Sequence, residues 1–364
     1  MNIDEKHMRL AIRLAKRAEG LTSPNPIVGA VIVKNGKVVG RGYHKMCGMP
    51  HAEVNALRQA GLKARGATIY VTLEPCDHFG KTPPCTDALI NSGVKRVVIG
   101  MKDPNPLNNG KGMKKLNSNG IKTDIGILKD EAIEMNKPFI KSVTKKLPYV
   151  TVKTAQSIDG KIATKTGDSK WITSEASRKF VHDLRSSVDA VMVGVNTIIK
   201  DDPLLTSRGT RFKKQPIRVV VDSRLSTPVG AKIFSDVKIS PVIIVTTKKS
   251  DRKKIGQIEK KGARVIILKS SRGGLDLKSL MNKLTNMGII NVLVEGGGNL
   301  IAGLVESRLV DKFLFFIAPK IIGGKNAITS VEGAGIKMIK DAAELKNIKL
   351  RKIGPDILIE AEAI

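Results

Sequence analysis

The chain has 364 residues and a hydrophobic content of 41%, which is enough for two domains with cores of their own and excludes a disordered protein. The formal net charge of +30 suggests a nucleic-acid partner. However, Lys and Arg are scattered over both halves, and aromatic residues, which would stack on single strands, make up only 3%. We therefore interpret the charge as a lysine-rich solvated surface that would also attract phosphorylated metabolites. Three cysteines, no export signal and no apolar run of membrane length predict a cytoplasmic protein that contacts no membrane.

The first 146 residues alternate helix-like and strand-like segments. Apolar residues at helical spacing predict an amphipathic first helix, with His7 on its surface, and Asn35-Gly36 predicts a β-hairpin turn. The following segments are, in chain order, the helix HAEVNALRQAG, the strand ATIYVTLE, the helix CTDALINSG ending at Gly93, the strand KRVVIGM, the loop DPNPLNNGKGMKK, a short helix and the strand IKTDIGIL. This alternation predicts an α/β domain, and the basic run KSVTKKLPYV is the predicted linker.

Two motifs of the first half contain potential metal ligands. The segment HAE provides His51 and Glu53, and EPCDHFGKTPPC provides Cys76 and Cys85. Catalytic zinc needs three protein ligands and one position for water, and one imidazole with two thiolates meets that need. His51 and Cys85 both fall where a helix would start, a position that favours a thiolate. Glu53 is too close in sequence to His51 to be needed as a ligand, so it is the candidate proton shuttle between water and a leaving amine.

This arrangement resembles the zinc-dependent nucleoside and nucleobase deaminases, whose signature is H-x-E followed by P-C-x-x-C. Here eight residues rather than two separate Cys76 from Cys85. The longer spacing argues against a plain cytidine or tRNA-adenosine deaminase. Cys47 is expected to be a thiol outside the ligand set.

The second half, residues 147–364, contains a second alternation. Its segments are YVTVKTAQS, a helix near 175–186 that contains His182, DAVMVGV, IRVVVD, PVIIVTT, ARVIIL, a helix near 275–288, NVLVEGG and KFLFFIAPKII. Strands separated by helices predict a mainly parallel sheet with helices on both faces. The segment VLVEGGGNLIAGL predicts a strand, a glycine turn and a helix, a geometry that lets backbone amides approach a phosphate. From these residues alone, this half is an α/β nucleotide-binding domain.

Longer stretches resemble one family over nearly the whole chain. SPNPIVGAVIV, HAE, EPCDHFGKTPPC and KDPNP in the first half, with VKTAQSIDGKIA, GDSKWITS and VEGGGNL in the second, resemble the RibD family of bifunctional riboflavin-biosynthesis proteins. The resemblance implies a cytidine-deaminase-like three-layer α/β/α domain over residues 1–146 and a dihydrofolate-reductase-like α/β domain over residues 147–364. The implied cofactors are one Zn²⁺ in the deaminase domain and NADPH in the reductase domain.

The resemblance also implies two reactions. The first is zinc-dependent hydrolytic deamination of 2,5-diamino-6-ribosylamino-4(3H)-pyrimidinone 5′-phosphate. The second is NADPH-dependent reduction of 5-amino-6-(5-phosphoribosylamino)uracil to the ribitylamino product. The implied partners are therefore a small phosphorylated pyrimidine and NADPH, with no nucleic acid, and we expect a homo-oligomer.

The same resemblance implies roles for individual residues. In the deaminase half, the implied substrate contacts are Asn25, His44, His78 and Lys81, the last suited to a phosphate. In the reductase half, Lys153 is expected to polarise or protonate a C=N intermediate, and Asp201 to hold and orient Lys153. Further implied substrate contacts are Ser169, Arg185, Leu205, Arg208 and Glu295, with the arginines suited to a 5′-phosphate. The implied cofactor contacts are Ala155, Trp171, Thr197, Asp201, Ser223, Gly297, Gly298, Asn299, Leu300, Ile301, Ala302 and Gly303.

Two other interpretations remain open from the sequence. One is a nucleic-acid-acting zinc deaminase with an accessory nucleotide-binding domain, which the H-x-E signature and the charge support. The GKTPPC insertion and the reductase-like second half argue against it. The other is a non-catalytic fusion with a structural zinc, which would normally need a fourth protein ligand, and none is evident.

Overall fold

A computed structural model describes residues 2–80, 82–209, 214–271 and 274–364. The chain divides into two compact units, residues 1–147 and residues 148–364. Among the helices in these ranges, none combines the length and the apolar character that crossing a membrane requires.

The first unit contains one sheet and six α-helices within the described residues. Their bounds are α1 Ile3–Ala15, β1 Gly29–Lys34, β2 Lys37–Tyr43, α2 Ala52–Ala60, β3 Thr68–Leu73, α3 Cys85–Ser92, β4 Arg96–Met101, α4 Lys111–Ser118, β5 Lys122–Ile125, α5 Lys129–Met135 and α6 Lys137–Lys145. Short 3₁₀ turns follow α1 and α2, at Lys16–Ala18 and Gly61–Ala64. Helix α1 begins after Asn2, whose side-chain oxygen accepts the N–H of Asp4 and so caps the helix.

Helices cover both faces of the sheet in the first unit. The strand order is β2-β1-β3-β4-β5, with β1 antiparallel to β2 and β3, and with β3, β4 and β5 parallel. A Cβ atom at Gly29 would lie 2.0 Å from the Ala11 carbonyl oxygen of α1, and one at Gly42 would lie 2.2 Å from the Ala52 carbonyl oxygen of α2. Because Gly42 pairs with Ala30, next to Gly29, the two glycines face opposite sides of the sheet. The predicted α/β/α layering is therefore confirmed.

The second unit is built on a larger sheet. Its elements are β6 Tyr149–Ser157, α7 Glu175–Ser187, β7 Ala190–Gly194, α8 Val195–Asp201, β8 Ile217–Val221, β9 Val242–Thr247, α9 Arg252–Lys260, β10 Arg264–Leu268, β11 Ser270–Ser271, β12 Gly274–Leu275, α10 Leu277–Asn286, β13 Asn291–Val294, α11 Gly298–Glu306, β14 Lys312–Ala318, β15 Leu345–Ile353 and β16 Asp356–Ala363. Two 3₁₀ turns lie at Lys232–Phe234 and Ile339–Asp341.

Most strands of this sheet are parallel, as predicted. The order is β10-β9-β8-β7-β13-β6-β14-β16-β15, and neighbours from β10 to β14 pair in parallel. Every residue of β9 is buried, which requires cover on both faces of that strand. Val193, Val220 and Ile244 pack with Ile198 of α8 and Ile258 of α9 in one core cluster. The sequence did not predict the antiparallel hairpin β15–β16, which extends the sheet beyond β14.

Two local predictions in the first unit are wrong. The predicted loop 103–115 becomes helix α4 from Lys111 onward, because Leu116 is fully buried and anchors that turn. The predicted linker, residues 141–150, contains the division between the two units after Leu147, and its first five residues lie in α6, on which Phe139 and Ser142 are buried. His7 is buried rather than on the surface, since it shares the face of α1 that buries Ala11 and packs its ring against Tyr70 at 5.1 Å between centroids.

Candidate active sites

Three elements of the first unit bring the predicted zinc ligands together. His51 is the N-cap of α2 and Cys85 is the first residue of α3, as predicted, while Cys76 lies in the segment after β3. The His51 Nδ1 atom is 3.2 Å from Cys85 Sγ and 3.6 Å from Cys76 Sγ. All three potential ligand atoms lie within 4.8 Å of one another. Residues far apart in the sequence therefore converge on one point.

The donor set and its electrostatics fit a zinc ion. A hydrogen bond from the Cys85 thiol lowers the pKa of Cys76 far below its usual value, and the His51 ring lowers it further. The same contact raises the pKa of Cys85. Thiolates and neutral imidazole are the ligands that zinc prefers, and these N···S separations match the edge of a tetrahedron with zinc at its centre.

Glu53 lies beside this cluster and is not part of it. Its carboxyl group is in the first turn of α2, is only 3% exposed, and is within hydrogen-bonding reach of the Cys85 thiol. Burial raises the pKa of Glu53. A carboxyl group whose pKa is moved towards neutrality can both accept and return a proton, which is what the predicted shuttle needs.

A cavity of 270 Å³ opens over the cluster and contains three of the predicted substrate contacts, Asn25, His44 and His78. The Nδ1 atom of His44 is 3.3 Å from the Pro50 carbonyl oxygen, which can only accept, so Nδ1 carries the hydrogen. The His44 Nε2 atom then accepts from the Asn25 amide at 3.1 Å. Burial lowers the pKa of His44, which favours the neutral ring. Lys81, the fourth predicted contact, lies outside the described residues.

The sequence missed the residues that hold one wall of this cavity. Glu74, which is 2% exposed, accepts backbone N–H groups from Asp103 at 3.1 Å, Gly110 at 3.0 Å and Met113 at 3.3 Å. Asp103 lines the cavity. The fully buried Asn108 donates its amide N–H to the Asp103 carboxylate. The segment KDPNP gives no local signal of this role, because the hydrogen bond from its Asp103 N–H to Glu74 spans 29 residues. Thr82 Oγ1, 3.3 Å from His51 Nε2, was also missed.

The second unit contains a cavity of 370 Å³ around the glycine turn between β13 and α11. Several of the residues predicted to bind substrate or cofactor line it, namely Ser169, Thr197, Asp201, Ser223, Gly297, Gly298, Asn299, Leu300 and Gly303. The hydroxyl of Ser169 donates to Asp201 at 3.5 Å. The cavity therefore collects residues from α8, β8 and α11 with the segment before α7.

The lining of this cavity fits a phosphate-bearing dinucleotide. A Cβ atom at Gly297, where φ is +82°, would lie 3.6 Å from the backbone of Gly194 at the end of β7. Two glycine backbones thus meet at the cavity wall, where side chains would fill the space a ligand needs. The first N–H groups of α11 lie beside this turn and lack partners within the helix, as at every helix start. This geometry suits NADPH.

Lys153, Arg185 and Glu295 form a buried ion-pair cluster. Lys153 Nζ is 3.6 Å from Glu295 Oε2, and Arg185 holds the same carboxylate through Nε at 2.5 Å and Nη2 at 2.9 Å. The prediction that Asp201 holds Lys153 is therefore corrected. The carboxylate found at ion-pairing distance from Lys153 in the described chain is Glu295, and Asp201 instead accepts from Ser169.

Burial and charge act in opposite directions within this cluster. Burial alone would raise the pKa of Glu295, but Arg185 and Lys153 lower it to about 2. Burial lowers the pKa of Lys153, and the carboxylate of Glu295 opposes this shift. The side chain of Lys153 is 14% exposed. The ammonium group of Lys153 therefore gives up its proton more readily than that of an ordinary lysine.

Other predicted residues lie outside the cavity lining. Leu205, Ile301 and Ala302 are buried, Leu205 in the core cluster of the sheet and the other two on α11. Ala155 packs near Val181 and Phe316. Trp171 is 63% exposed, with the Arg178 guanidinium 4.6 Å from its ring centroid. Arg208 is exposed, and its N–H donates to His182 on α7, the helix where the sequence predicts that histidine.

Family models define the class of this protein. The model of the cytidine and deoxycytidylate deaminase zinc-binding region matches residues 1–101, and the model of the RibD C-terminal domain matches residues 148–359. The fold and the two cavities therefore belong to a zinc deaminase domain followed by a RibD-type reductase domain.

Relatives that match along the whole chain identify the family. The riboflavin biosynthesis protein RibD of Aquifex aeolicus is 48% identical over 357 residues, covering 98% of each chain, and that of Escherichia coli is 39% identical over 98% of each. The solved structure of Acinetobacter baumannii RibD is 37% identical, with a TM-score of 0.89 over 100% of this chain and 99% of that one. The Thermotoga maritima deaminase/reductase, at 36% identity, gives a TM-score of 0.87 over the same shares. The chain belongs to the RibD family.

Proposed function

We propose that this chain performs two consecutive steps of riboflavin biosynthesis. Residues 1–146 would deaminate 2,5-diamino-6-ribosylamino-4(3H)-pyrimidinone 5′-phosphate. Residues 147–364 would reduce the product, 5-amino-6-(5-phosphoribosylamino)uracil, with NADPH. The observation that carries the proposal is the meeting of His51, Cys76 and Cys85 beside the buried Glu53, in a chain that continues into a RibD-type reductase domain.

In the deaminase site, some side chains would bind the metal and the substrate, and one would transfer protons. His51, Cys76 and Cys85 would hold Zn²⁺, which when bound supplies the Lewis acidity that ionises the attacking water. Glu53 takes the water proton and delivers it to the leaving amine, because its raised pKa allows both transfers. Asn25, His44 and His78 would hold the pyrimidine ring, and Lys81 the phosphate.

In the reductase site, Lys153 would protonate or polarise the C=N group that accepts the hydride. Glu295 keeps the lysine side chain in position and opposes the loss of its charge on burial, and Arg185 fixes the same carboxylate through two hydrogen bonds. Arg185 also donates to the Thr206 carbonyl oxygen, so the N–H groups of its guanidinium are already bonded within the protein. The exposed Arg208 is therefore the better candidate for the substrate 5′-phosphate. NADPH would bind along the glycine turn and, when bound, would supply the hydride.

The same proposal covers the location, partners and assembly of the protein. We propose a cytoplasmic enzyme. We propose that its substrates are small molecules and not nucleic acid, because the deaminase cavity of 270 Å³ is near the lower end of the size range of metabolite sites. We also propose a homo-oligomer. The support is the edge strand β15, where Ile348 and Leu350 are 61% and 68% exposed.

Incubating the protein with the diaminopyrimidine phosphate, with and without NADPH, tests both reactions. Without NADPH, we expect ammonia release and one deaminated product by mass spectrometry. With NADPH, we expect a product that carries two additional hydrogens. Absence of ammonia would refute the first reaction. Failure of the supplied deaminated compound to gain hydrogens would refute the second.

A further inference from the structure

The segment 328–332 runs between two turns at the reductase cavity. Its Ile328 carbonyl oxygen accepts the N–H of Ile162 at 2.9 Å, and the N–H of Ser330 donates to the Gly160 carbonyl oxygen at 3.3 Å. At its other end, the N–H of Glu332 donates to the Gly298 carbonyl oxygen at 3.3 Å. Backbone hydrogen bonds at both ends fix the position of the segment beside the cavity.

Glu332 points its carboxylate into this cavity. It is half-buried although every other residue from 331 to 340 is exposed, and it is one of the lining residues. Its Oε2 atom accepts from the Asn299 amide at 2.8 Å. A Cβ atom at Gly298 would lie 2.6 Å from Glu332 Cγ, so the glycine allows this close approach. The carboxylate therefore lies at the start of α11, where the proposed cofactor phosphates would bind.

We propose that Glu332 sets the cofactor affinity of the reductase by presenting a fixed negative charge to the phosphates of NADPH. This inference rests on the proposed use of NADPH. The Asn299 amide is already engaged by Glu332, so a cofactor group that uses Asn299 must displace the carboxylate. A phosphate a few ångströms from the carboxylate also meets like-charge repulsion, which the half-buried position screens less than open solvent would. Glu332 thus weakens NADPH binding and eases release of the oxidised cofactor.

The test compares NADPH binding to the full-length protein and to Glu332→Gln by isothermal titration calorimetry without substrate. Gln keeps an oxygen that can accept from Asn299 and removes only the charge. We expect the variant to bind NADPH at least about fivefold more tightly at low salt, because that is the effect of one charge a few ångströms away even in bulk water. The ratio should fall towards one in about 0.5 M KCl. The matched control is Glu306→Gln, an exposed glutamate at the far end of α11, which should leave the affinity unchanged.

The outcomes separate this inference from the function on which it rests. If the unaltered protein binds NADPH and Glu332→Gln binds it equally or more weakly, the inference is overturned and the proposed function stands. A ratio that salt does not change, or an equal gain in Glu306→Gln, also overturns the role of this particular charge. If the unaltered protein binds no NADPH at all, the cofactor assignment fails and this inference fails with it.

Discussion

At the scale of single residues, the chemistry depends on groups whose ionisation the fold has shifted. Glu53 and Lys153 show this in opposite senses, because burial raises the pKa of the carboxyl group and lowers that of the amine. Both shifts stabilise the neutral form relative to the charged form, in keeping with the proton transfers proposed for the two groups. The residue type was evident from the sequence, but the shifted ionisation follows from the surroundings.

Glu53→Gln removes the proton shuttle while leaving the ligand cluster in place. We expect zinc content to be retained and the rate of ammonia release to fall by about 10²- to 10⁴-fold, the usual contribution of a general acid–base group. Metal analysis and a steady-state ammonia assay measure the two effects. NADPH oxidation by the same preparation is the internal control. Deamination within a few-fold of normal would remove Glu53 from the mechanism.

The pH dependence of the reductase should report on Lys153. A lysine acting as an acid is lost as pH rises through its pKa, and burial has lowered that pKa, so activity should decline at a lower pH than for an exposed lysine. Glu295→Gln removes the carboxylate that raises this pKa, so the alkaline limb should move to still lower pH. The measurement is kcat/KM for NADPH oxidation against pH, with Glu306→Gln as the control for loss of one negative charge. A limb that stays or moves upward would contradict the role of Glu295.

At the scale of elements, helix starts and one loop build the deaminase site. The starts of α2 and α3 bring His51 and Cys85 together, and Glu74 binds the segment 103–113 that forms a wall of the cavity. Glu74 is two residues before Cys76, so only Pro75 separates a proposed metal ligand from the residue that holds the cavity wall. The positions of α2 and α3 were predictable from local patterns. The bond network of Glu74 was not, because nothing in a local window indicates which distant N–H groups it accepts.

Glu74→Gln should loosen this wall without removing the metal. The new amide group would face N–H donors and lose one or two hydrogen bonds to a buried group, at a cost of about 1 to 3 kcal/mol. We expect KM for the diaminopyrimidine to rise about tenfold, with zinc content and NADPH oxidation unchanged. Steady-state kinetics of both reactions on one preparation provide the measurement.

The matched control for this substitution is Glu131→Gln in the same unit. Its carboxylate makes a pair with Arg9 in which both side chains are 42% exposed, so its loss should have little effect. A normal KM in Glu74→Gln, or a loss of zinc, would show that Glu74 does not act by positioning the loop.

At the scale of the whole molecule, the two units should lose their activities independently of each other. A chelator that removes zinc should abolish ammonia release and leave reduction of the supplied deaminated compound intact. Conversely, Lys153→Ala should abolish NADPH oxidation and spare ammonia release, because Lys153 lies in the second compact unit. Parallel assays of both activities check these results. Loss of both activities from either treatment would contradict two independent sites.

The sequence by itself determined which residues could carry the chemistry and where most elements lie. The motifs HAE and EPCDHFGKTPPC specified the zinc donors, and hydrophobic periodicity located most strands, because both signals are local. Tertiary structure alone decided that Lys153 pairs with Glu295 rather than Asp201, that Glu74 binds a loop about thirty residues away, and that Glu332 enters the cofactor cavity. These contacts join residues from different elements, so their partners depend on how strands and helices pack in three dimensions. No spacing along the chain encodes that packing.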